Sequence, residues 1–311
     1  MDSSILSFPD RGPWGNSSYR GNCSGHVYRE LFQALKPRSF CDPMMGSGTS
    51  VEVAEEMGIS AHGLDLRLGF NAVSDSILAA IGHHVDLTLS HPPYGAMIRY
   101  SGSCWGTEPH PDDLSWCESE EAFHEKLQMV LLNQREATLA GGHYGTIIGD
   151  RRYDGRYVSY QAEAIARMPS DELVAVLIKC QHNVQSSRKA YAAMRLPRIA
   201  HEYVLIWQKR QRQTFELLKC LAVQAGGRLR DTWRAIVHMC LVQLGGHASL
   251  VDIYEAVRAA ADDRCASNRH WQAKVRQILN QSHDWFEPTD RGVWKLKRSG
   301  VVPGGKVRHA A

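Results

Sequence analysis

No stretch of about 18 consecutive apolar residues occurs in this 311-residue chain, so no membrane-spanning helix and no membrane partner are expected. The opening fifteen residues, MDSSILSFPDRGPWG, lack the basic start and apolar run of a secretory signal. The expected location is the cytoplasm. The eight cysteines never fall as C-x-x-C, and the fifteen histidines never form H-E-x-x-H. No zinc site is therefore predicted, and the cysteines read as reduced, mostly buried small side chains. Neither sign of charge dominates: 36 Lys and Arg against 33 Asp and Glu leave a net charge of +3, which permits nucleic-acid binding without demanding it. What is present is core material. With 43% hydrophobic against 22% charged residues, the chain can bury a sizeable interior. Its length suggests one large domain with a smaller one.

Two stretches carry chemistry. The first is SFCDPMMGSGTSVEVAEEMGISAHGLDL, residues 39–66. Its pattern predicts a short strand at 39–41, a Gly-rich loop at 42–49, a helix at 50–57 closed by Gly58, and a second strand from Ala61 with Asp65 at its tip. Gly46 and Gly48 let the backbone approach a ligand closely, because no Cβ intrudes. An acid about 20 residues after a Gly-rich turn is placed to accept from ribose hydroxyls. No Lys follows Gly48, which argues against a nucleoside triphosphate, and Val51 stands where a dinucleotide site would want its third glycine. S-adenosylmethionine has a ribose and an adenine but no phosphate, so loop and acid suffice.

The second is VDLTLSHPPYGAMIRY, residues 85–100. An apolar run predicts a buried strand, and two prolines then end it, since neither can donate to a ladder. The prolines hold His91, the Pro92 carbonyl and the Tyr94 ring at the carboxyl edge of a sheet, where open α/β folds bind ligands.

Together DPMMGSGT, GLDL and HPPY resemble the motifs of S-adenosylmethionine-dependent DNA amino-methyltransferases, the N6-adenine and N4-cytosine group, over residues 14 to about 209. The resemblance implies an α/β, doubly wound, Rossmann-like methyltransferase sheet and S-adenosyl-L-methionine as cofactor. It assigns cofactor contacts to Asp42, Pro43, Met44, Gly46, Ser47, Gly48, Thr49, Asp65 and Leu66. YRGNCSG, residues 19–25, stands where the family has another cofactor-contacting segment, adding Asn22 and Ser24. It assigns catalysis to His91, Pro92, Pro93 and Tyr94, with double-stranded DNA as partner. The family usually has Asp, Asn or Ser before Pro-Pro-Tyr; here it is His91, which leaves the target base open. An exocyclic amine is a poor nucleophile until acceptors engage its hydrogens. The Pro92 carbonyl and a neutral His91 are such acceptors, and Tyr94 would stack on a base flipped from the duplex. An imidazolium cannot accept, so activity is expected to fall at acid pH. The same motif order also occurs in tRNA guanine-N2 methyltransferases, and a non-catalytic DNA-binding regulator on this fold is a further alternative.

Elsewhere the pattern predicts helices at 27–35, with Ser24 in its N-cap region, at 119–139, ended by Gly141-Gly142, and at 161–167. It predicts strands at 144–148, 173–179 and 199–208. Arg99, Tyr100 and Trp105 follow the second motif and are candidates to touch DNA or the flipped base. Arg151, Arg152, Arg156 and Lys179 read as a phosphate-contacting flank, and 181–197 as a polar, mobile loop. KRQRQ at 209–213 reads as a hinge, placing a methyltransferase domain at 1–209 and a second domain at 214–300. Three helices (231–244, Ser249-capped 250–261, and 268–281) and a hairpin near 285–296 look like a winged helix, for DNA binding or homodimer assembly. The tail, 301–311, is expected to be disordered.

Overall fold

The apolar runs assemble, in a computed structural model, into one seven-stranded sheet with helices on both faces. The structure describes residues 3–153, 155–182, 196–212, 214–224, 232–266 and 268–297. In chain order the first elements are β1 (Ile5–Leu6), α1 (Gly25–Leu35), β2 (Ser39–Asp42), α2 (Thr49–Glu56), β3 (Ser60–Gly63), α3 (Ile77–Ile81) and β4 (Val85–Ser90). Next come α4 (Glu120–Ala137), β5 (Thr138–Ile148), the small hairpin β6 (Arg151–Tyr153) and β7 (Arg156–Val158), α5 (Tyr160–Arg167), β8 (Leu173–Cys180) and β9 (His201–Gln208). The sheet order is β1-β8-β9-β5-β4-β2-β3. β9 runs antiparallel to both its neighbours, and the other pairings are parallel. This is the α/β, doubly wound sheet expected from the sequence.

Alternation along the strands explains the two faces. Val204 and Ile206 of β9 pack with Val27, Leu31 and Phe32 of α1 and Val53 and Ala54 of α2. Leu205 and Trp207 turn to the other face, against Phe123, Leu127, Val130 and Leu131 of α4. Apolar residues at both parities of one strand are the mark of a sheet buried on both sides. β2 has β3 on one side and β4 on the other. The chain therefore changes direction of winding around β2, and the carboxyl ends of β2 and β4 open into a crevice.

One boundary differs from the expectation. α4 stops at Ala137, and Gly141 and Gly142 lie inside β5. They do not end the helix; they shift the register, so that Val85 pairs with Thr138 but Leu87 with His143. Gly141 has φ 81°, and a Cβ on Gly142 would lie 2.7 Å from the Asp86 carbonyl, so both positions favour glycine.

The remaining elements are α6 (Thr214–Gln224), α7 (Thr232–Gln243), β10 (His247–Ser249), α8 (Leu250–Ala260), α9 (Asp262–Ala266), α10 (Trp271–Gln281), β11 (Phe286–Asp290) and β12 (Val293–Leu296). The last three strands form an antiparallel sheet in the order β10-β12-β11. Ser249 caps α8 in a reciprocal box with Asp252. Residues 183–195 of the expected polar loop, and the tail 301–311, lie outside the described residues. Among the described residues no helix is long and apolar enough to cross a membrane.

Of the segment expected to be a hinge, 209–213, Lys209 and Arg210 are tied down, and residue 213 lies outside the described residues. The Lys209 N–H donates to the Gly142 carbonyl at 2.8 Å, and its Nζ to the Thr138 carbonyl at 2.7 Å. The Arg210 N–H donates to Glu172 Oε1 at 3.2 Å. Glu172 also receives Arg135 Nε and Nη2, at 2.8 and 2.7 Å, and the Tyr144 hydroxyl at 2.7 Å. Both ends of the Arg135–Glu172 pair are buried, with side chains 3% and 0% exposed. Removing the carboxylate charge would strand a buried guanidinium. Glu172→Gln is expected to lower unfolding free energy by about 3 kcal/mol in denaturant titration; a loss under about 1 kcal/mol would mean water or another group reaches Arg135.

Candidate functional site

At the carboxyl end of β2 the chain must turn within a few residues into α2, and Asp42 organises that turn. Its Oδ1 accepts the Met44 N–H at 2.9 Å and its Oδ2 the Ser50 hydroxyl at 2.6 Å. The Met45 N–H donates to the Leu64 carbonyl at 3.0 Å, stitching the loop to the end of β3. Gly46 and Gly48 have φ of 53° and 87°, and Gly48 is the left-handed N-cap of α2. A Cβ on Gly46 would also press to 3.0 Å from the Tyr19 ring. Asp65, two residues beyond β3, accepts the Gly46 N–H at 2.9 Å through Oδ2 and the Arg67 N–H at 2.9 Å through Oδ1. Each carboxylate oxygen keeps a further acceptor site.

The segment before α1 closes this loop from above. Asn22 accepts from Thr49 Oγ1 at 2.7 Å and donates to the Asn16 carbonyl at 2.6 Å. Gly21 has φ 77°, and a Cβ there would collide with the Tyr100 hydroxyl at 2.0 Å. The result is a cavity bordered by Asn22, Asp42, Pro43, Met44, Gly46, Ser47, Thr49, Asp65, Leu66, His91 and Pro93. Gly48 serves the backbone and does not border it. Ser24 borders a second cavity, with its hydroxyl donating to the Asp10 carbonyl at 2.9 Å, and its side chain makes no cap bond to α1.

Sequence reasoning missed Asp112 and Asp113, which also line the first cavity. Asp113 fastens the long segment after β4: it accepts from the Ser101 N–H and hydroxyl at 2.8 and 2.7 Å and from the Ser115 N–H at 2.8 Å. The acid pair after Pro111 was the available signal. The cavity wall thus holds four aspartates and, among the described residues, no Lys or Arg. Arg67 turns its guanidinium to the Gly46 carbonyl at 3.1 Å. Burial pushes Asp42 up from 3.8 to about 7, against the bonds from Ser50 and Met44. Burial raises Asp65 as well.

His91 stands in the wall shared by this cavity and the second one, which Pro92 and Tyr94 also line. Its Nε2 bonds the Tyr94 hydroxyl. The ring opens to cavity space but lies deep in the molecule. Burial drops its pKa to about 4; Glu202 opposes that and Lys179 adds to it. The imidazole is therefore neutral across the physiological range, and the expected acid loss of activity moves to about pH 4. Tyr94 packs against Gly149, where a Cβ would meet its ring at 2.9 Å and the Glu202 stem at 3.1 Å. Tyr94 is thus anchored at its polar end, while Tyr100 borders both cavities.

The expected phosphate-contacting flank is largely spent inside. Lys179 is buried in an ion pair with Glu202, whose Oε1 also accepts from Gln181 at 2.7 Å. Arg151 pairs with Glu120, and Arg152 donates to the Pro197 carbonyl at 3.1 Å; Arg156 is exposed. Arg99 bonds the Ser115 carbonyl and lies 4.1 Å from the Trp116 ring centroid. Trp105 borders the first cavity.

No protein-family model matches the chain, and no curated protein does. Among solved structures it is similar to TrmN from Thermus thermophilus, at 16% identity over 62% of this chain and 51% of that one, with a TM-score of 0.40. It is also similar to a second Thermus thermophilus protein, TTHA0409, in complex with S-adenosyl-L-methionine, which is provisionally assigned as a DNA modification methylase. There the identity is 19%, over 46% of this chain and 54% of that one, with a TM-score of 0.31. Human N-acetylserotonin methyltransferase matches at 10% identity over 60% and 52% of the two chains, with a TM-score of 0.33. The chain spans about half the length of each of these structures, and the likeness is one of fold.

Asp42 has, among the described residues, no ion pair. Its raised pKa means that the folded state prefers the neutral acid, so its stability contribution is full below about pH 4 and is lost as pH rises towards 7. Asp42→Asn is expected to gain stability over wild type across that window, by up to about 4 kcal/mol at about pH 8. Urea titrations at about pH 4.5 and pH 8 measure this; equal differences at the two values would contradict it.

Proposed function

We propose that the chain is an S-adenosylmethionine-dependent amino-methyltransferase acting on double-stranded DNA, at adenine N6 or cytosine N4. The observation that carries this reading is the four-aspartate cavity without a lining cation, set against a neutral His91. Phosphate ligands are disfavoured there by like charge. A nucleoside carrying positive charge is favoured, and S-adenosylmethionine carries it on its sulfonium and ammonium groups. The residues present fit that ligand. Asp65 keeps acceptor capacity for ribose hydroxyls, the loop at 43–47 presents backbone at the cavity wall, and Asp112 adds a further acidic side chain to that wall.

When bound, the cofactor supplies an electrophilic methyl group. The chain's part is to hold the amine. His91 and the Pro92 carbonyl accept its hydrogens, which localises the nitrogen lone pair, and the second cavity receives the flipped base. Tyr19, Tyr94 and Tyr100 give that cavity aromatic walls. The proline pair fixes the acceptor positions before the base arrives, so little reorganisation is left for the transfer step.

The C-terminal elements support a winged-helix reading: helix α7, strand β10, helices α8 and α10 with the short α9 between them, and a hairpin, with Val275 and Ile278 of α10 inward and Arg269 and Arg276 exposed. In this proposal α10 faces the major groove and the tyrosine-walled cavity receives the base. The location that goes with this role is the cytoplasm.

The test is methyl transfer from labelled S-adenosylmethionine to mixed-sequence duplex DNA, followed by nucleoside mass spectrometry. N6-methyladenine or N4-methylcytosine is expected. Product on tRNA alone would move the substrate to RNA, and failure to bind the cofactor at all would sink the reading. His91→Ala is expected to lower kcat on the order of 10²-fold. Asp65→Ala should instead raise the KM for the cofactor by about 10-fold or more, as loss of a charged hydrogen-bonding group does.

A further inference from the structure

Beside the Pro-Pro-Tyr turn the sheet edge carries an arm that the catalytic reading leaves without a role. Gly149, against which the Tyr94 ring packs, is followed at once by Asp150 and the β6–β7 hairpin. A two-stranded hairpin alone is marginal in water, and this one is braced at its base. Asp150 accepts the Tyr157 hydroxyl at 2.9 Å, the Ser159 hydroxyl at 3.1 Å and the Gln161 N–H at 3.1 Å. Arg151 turns inward to Glu120, which also accepts the Tyr160 hydroxyl at 2.5 Å. Arg152 Nη1 donates to the Pro197 carbonyl at 3.1 Å. Both acids at the base of the arm are thereby engaged.

The register sorts the side chains of the arm. Arg152 is opposite Tyr157, and Tyr153 is opposite Arg156. Opposed residues of an antiparallel pair share a face, so each face sets an arginine beside a tyrosine. The Arg152 guanidinium lies 5.9 Å from the Tyr157 ring centroid, and the Arg151 guanidinium 4.9 Å from that of Tyr153. Tyr153 is nonetheless 65% exposed and Tyr157 50%, and Arg156 is exposed as well. Rings held in place but left in solvent lose little freedom on binding. A partner that stacks on aromatic rings and carries anions for arginine is a nucleic-acid strand. The position fits. Tyr153 lies four residues past Gly149, at most about 14 Å along an extended chain, within reach of a duplex whose target base enters the cavity beside Tyr94.

We propose that the β6–β7 hairpin is a DNA-contacting arm, in which Arg156 meets a phosphate flanking the target and Tyr153 stacks on the base face that flipping uncovers. The choice of DNA rests on the amino-methyltransferase reading. Flipping a base leaves its neighbours with a bare face, and a ring placed there offsets part of the lost stacking. The arm also redistributes the expected phosphate-contacting flank. Lys179 is spent on Glu202, and Arg151 is spent on Glu120. Arg151 is thus a brace, and its neutralised charge holds out the part of the hairpin that carries Tyr153 and Arg156.

The arm can be tested by binding alone, without any reaction. Full-length protein is titrated against two labelled mixed-sequence duplexes, one fully paired and one with a central mismatched pair, which opens more easily. Tyr153→Ala is expected to weaken binding to the mismatched duplex by about 5-fold or more, and to the paired one by less. Tyr153→Phe keeps the ring and should bind as wild type does. Arg156→Ala should weaken both duplexes alike and lower the slope of log Kd against log salt concentration by about 1, whereas Arg156→Lys should keep the slope. Affinities and slope unchanged in both alanine variants would make the hairpin ordinary surface and overturn the proposal, as would losses seen only with tRNA. A wild type that methylates DNA, with both variants binding as it does, would refute the arm and leave the proposed function standing. The expected binding losses in a protein that transfers no methyl group would refute the proposed reaction and leave the arm.

Discussion

A parallel sheet must return its chain across one face after every strand, and the site exists where that return changes sides. β3 and β4 flank β2 on opposite edges, so the turns leaving β2 and β4 diverge and cannot cover one another. Everything chemical in the molecule follows from that gap. The Gly-rich turn with Asp42 leaves one strand, His91 and its prolines leave the other, and Asp65 closes the far side from the end of β3. The gap also exposes backbone that the rest of the sheet hides. Asp42 and Asp65 satisfy part of it by accepting N–H groups of the loop, which is why both carboxylates are buried.

Burying four aspartates around one cavity is unfavourable unless something positive arrives. Among the described residues no Lys or Arg lines it: Arg67, whose charge acts on Asp65, donates to a loop carbonyl, Lys179 pairs with Glu202, and Arg99 lies over Trp116. The two cavities meet at His91 and share Tyr19 and Tyr100, but the first carries the four aspartates and the second the Lys179–Glu202 pair. In the proposed function a charged small molecule occupies the first and a flat neutral ring the second.

The parts of the site that the sequence exposes are those carried by local backbone. A Gly-rich turn, a double proline and an acid at a strand tip are short-range patterns, and DPMMGSGT, GLDL and HPPY mark the carboxyl ends of the right strands. What stays hidden depends on partners far along the chain. Lys179 reads as a surface cation until β9 brings Glu202, 23 residues on, against it. Gly141-Gly142 reads as a helix stop because nothing local reveals that the Asp86 carbonyl will press on the second glycine. The run at 209–213 reads as a hinge because it is polar, and nothing local reveals that Lys209 is tied to the sheet and the Arg210 N–H to Glu172. Asp112 and Asp113 sit in a segment with no periodicity, and only the fold brings them to the cavity.

Tyr94 shows how such long-range partners change a role. Read from its motif alone, it is a free aromatic face. In the fold its hydroxyl bonds His91 Nε2 and its ring packs against Gly149, so the ring is held in place. Anchoring need not prevent stacking, since the face and the hydroxyl lie on different parts of the side chain, but it couples the two. A ring that shifted to follow the base would break the bond that orients the imidazole. In the proposed function the site thus links the placement of the base to the His91 ring, and a phenylalanine, which can stack equally well, would lose that link.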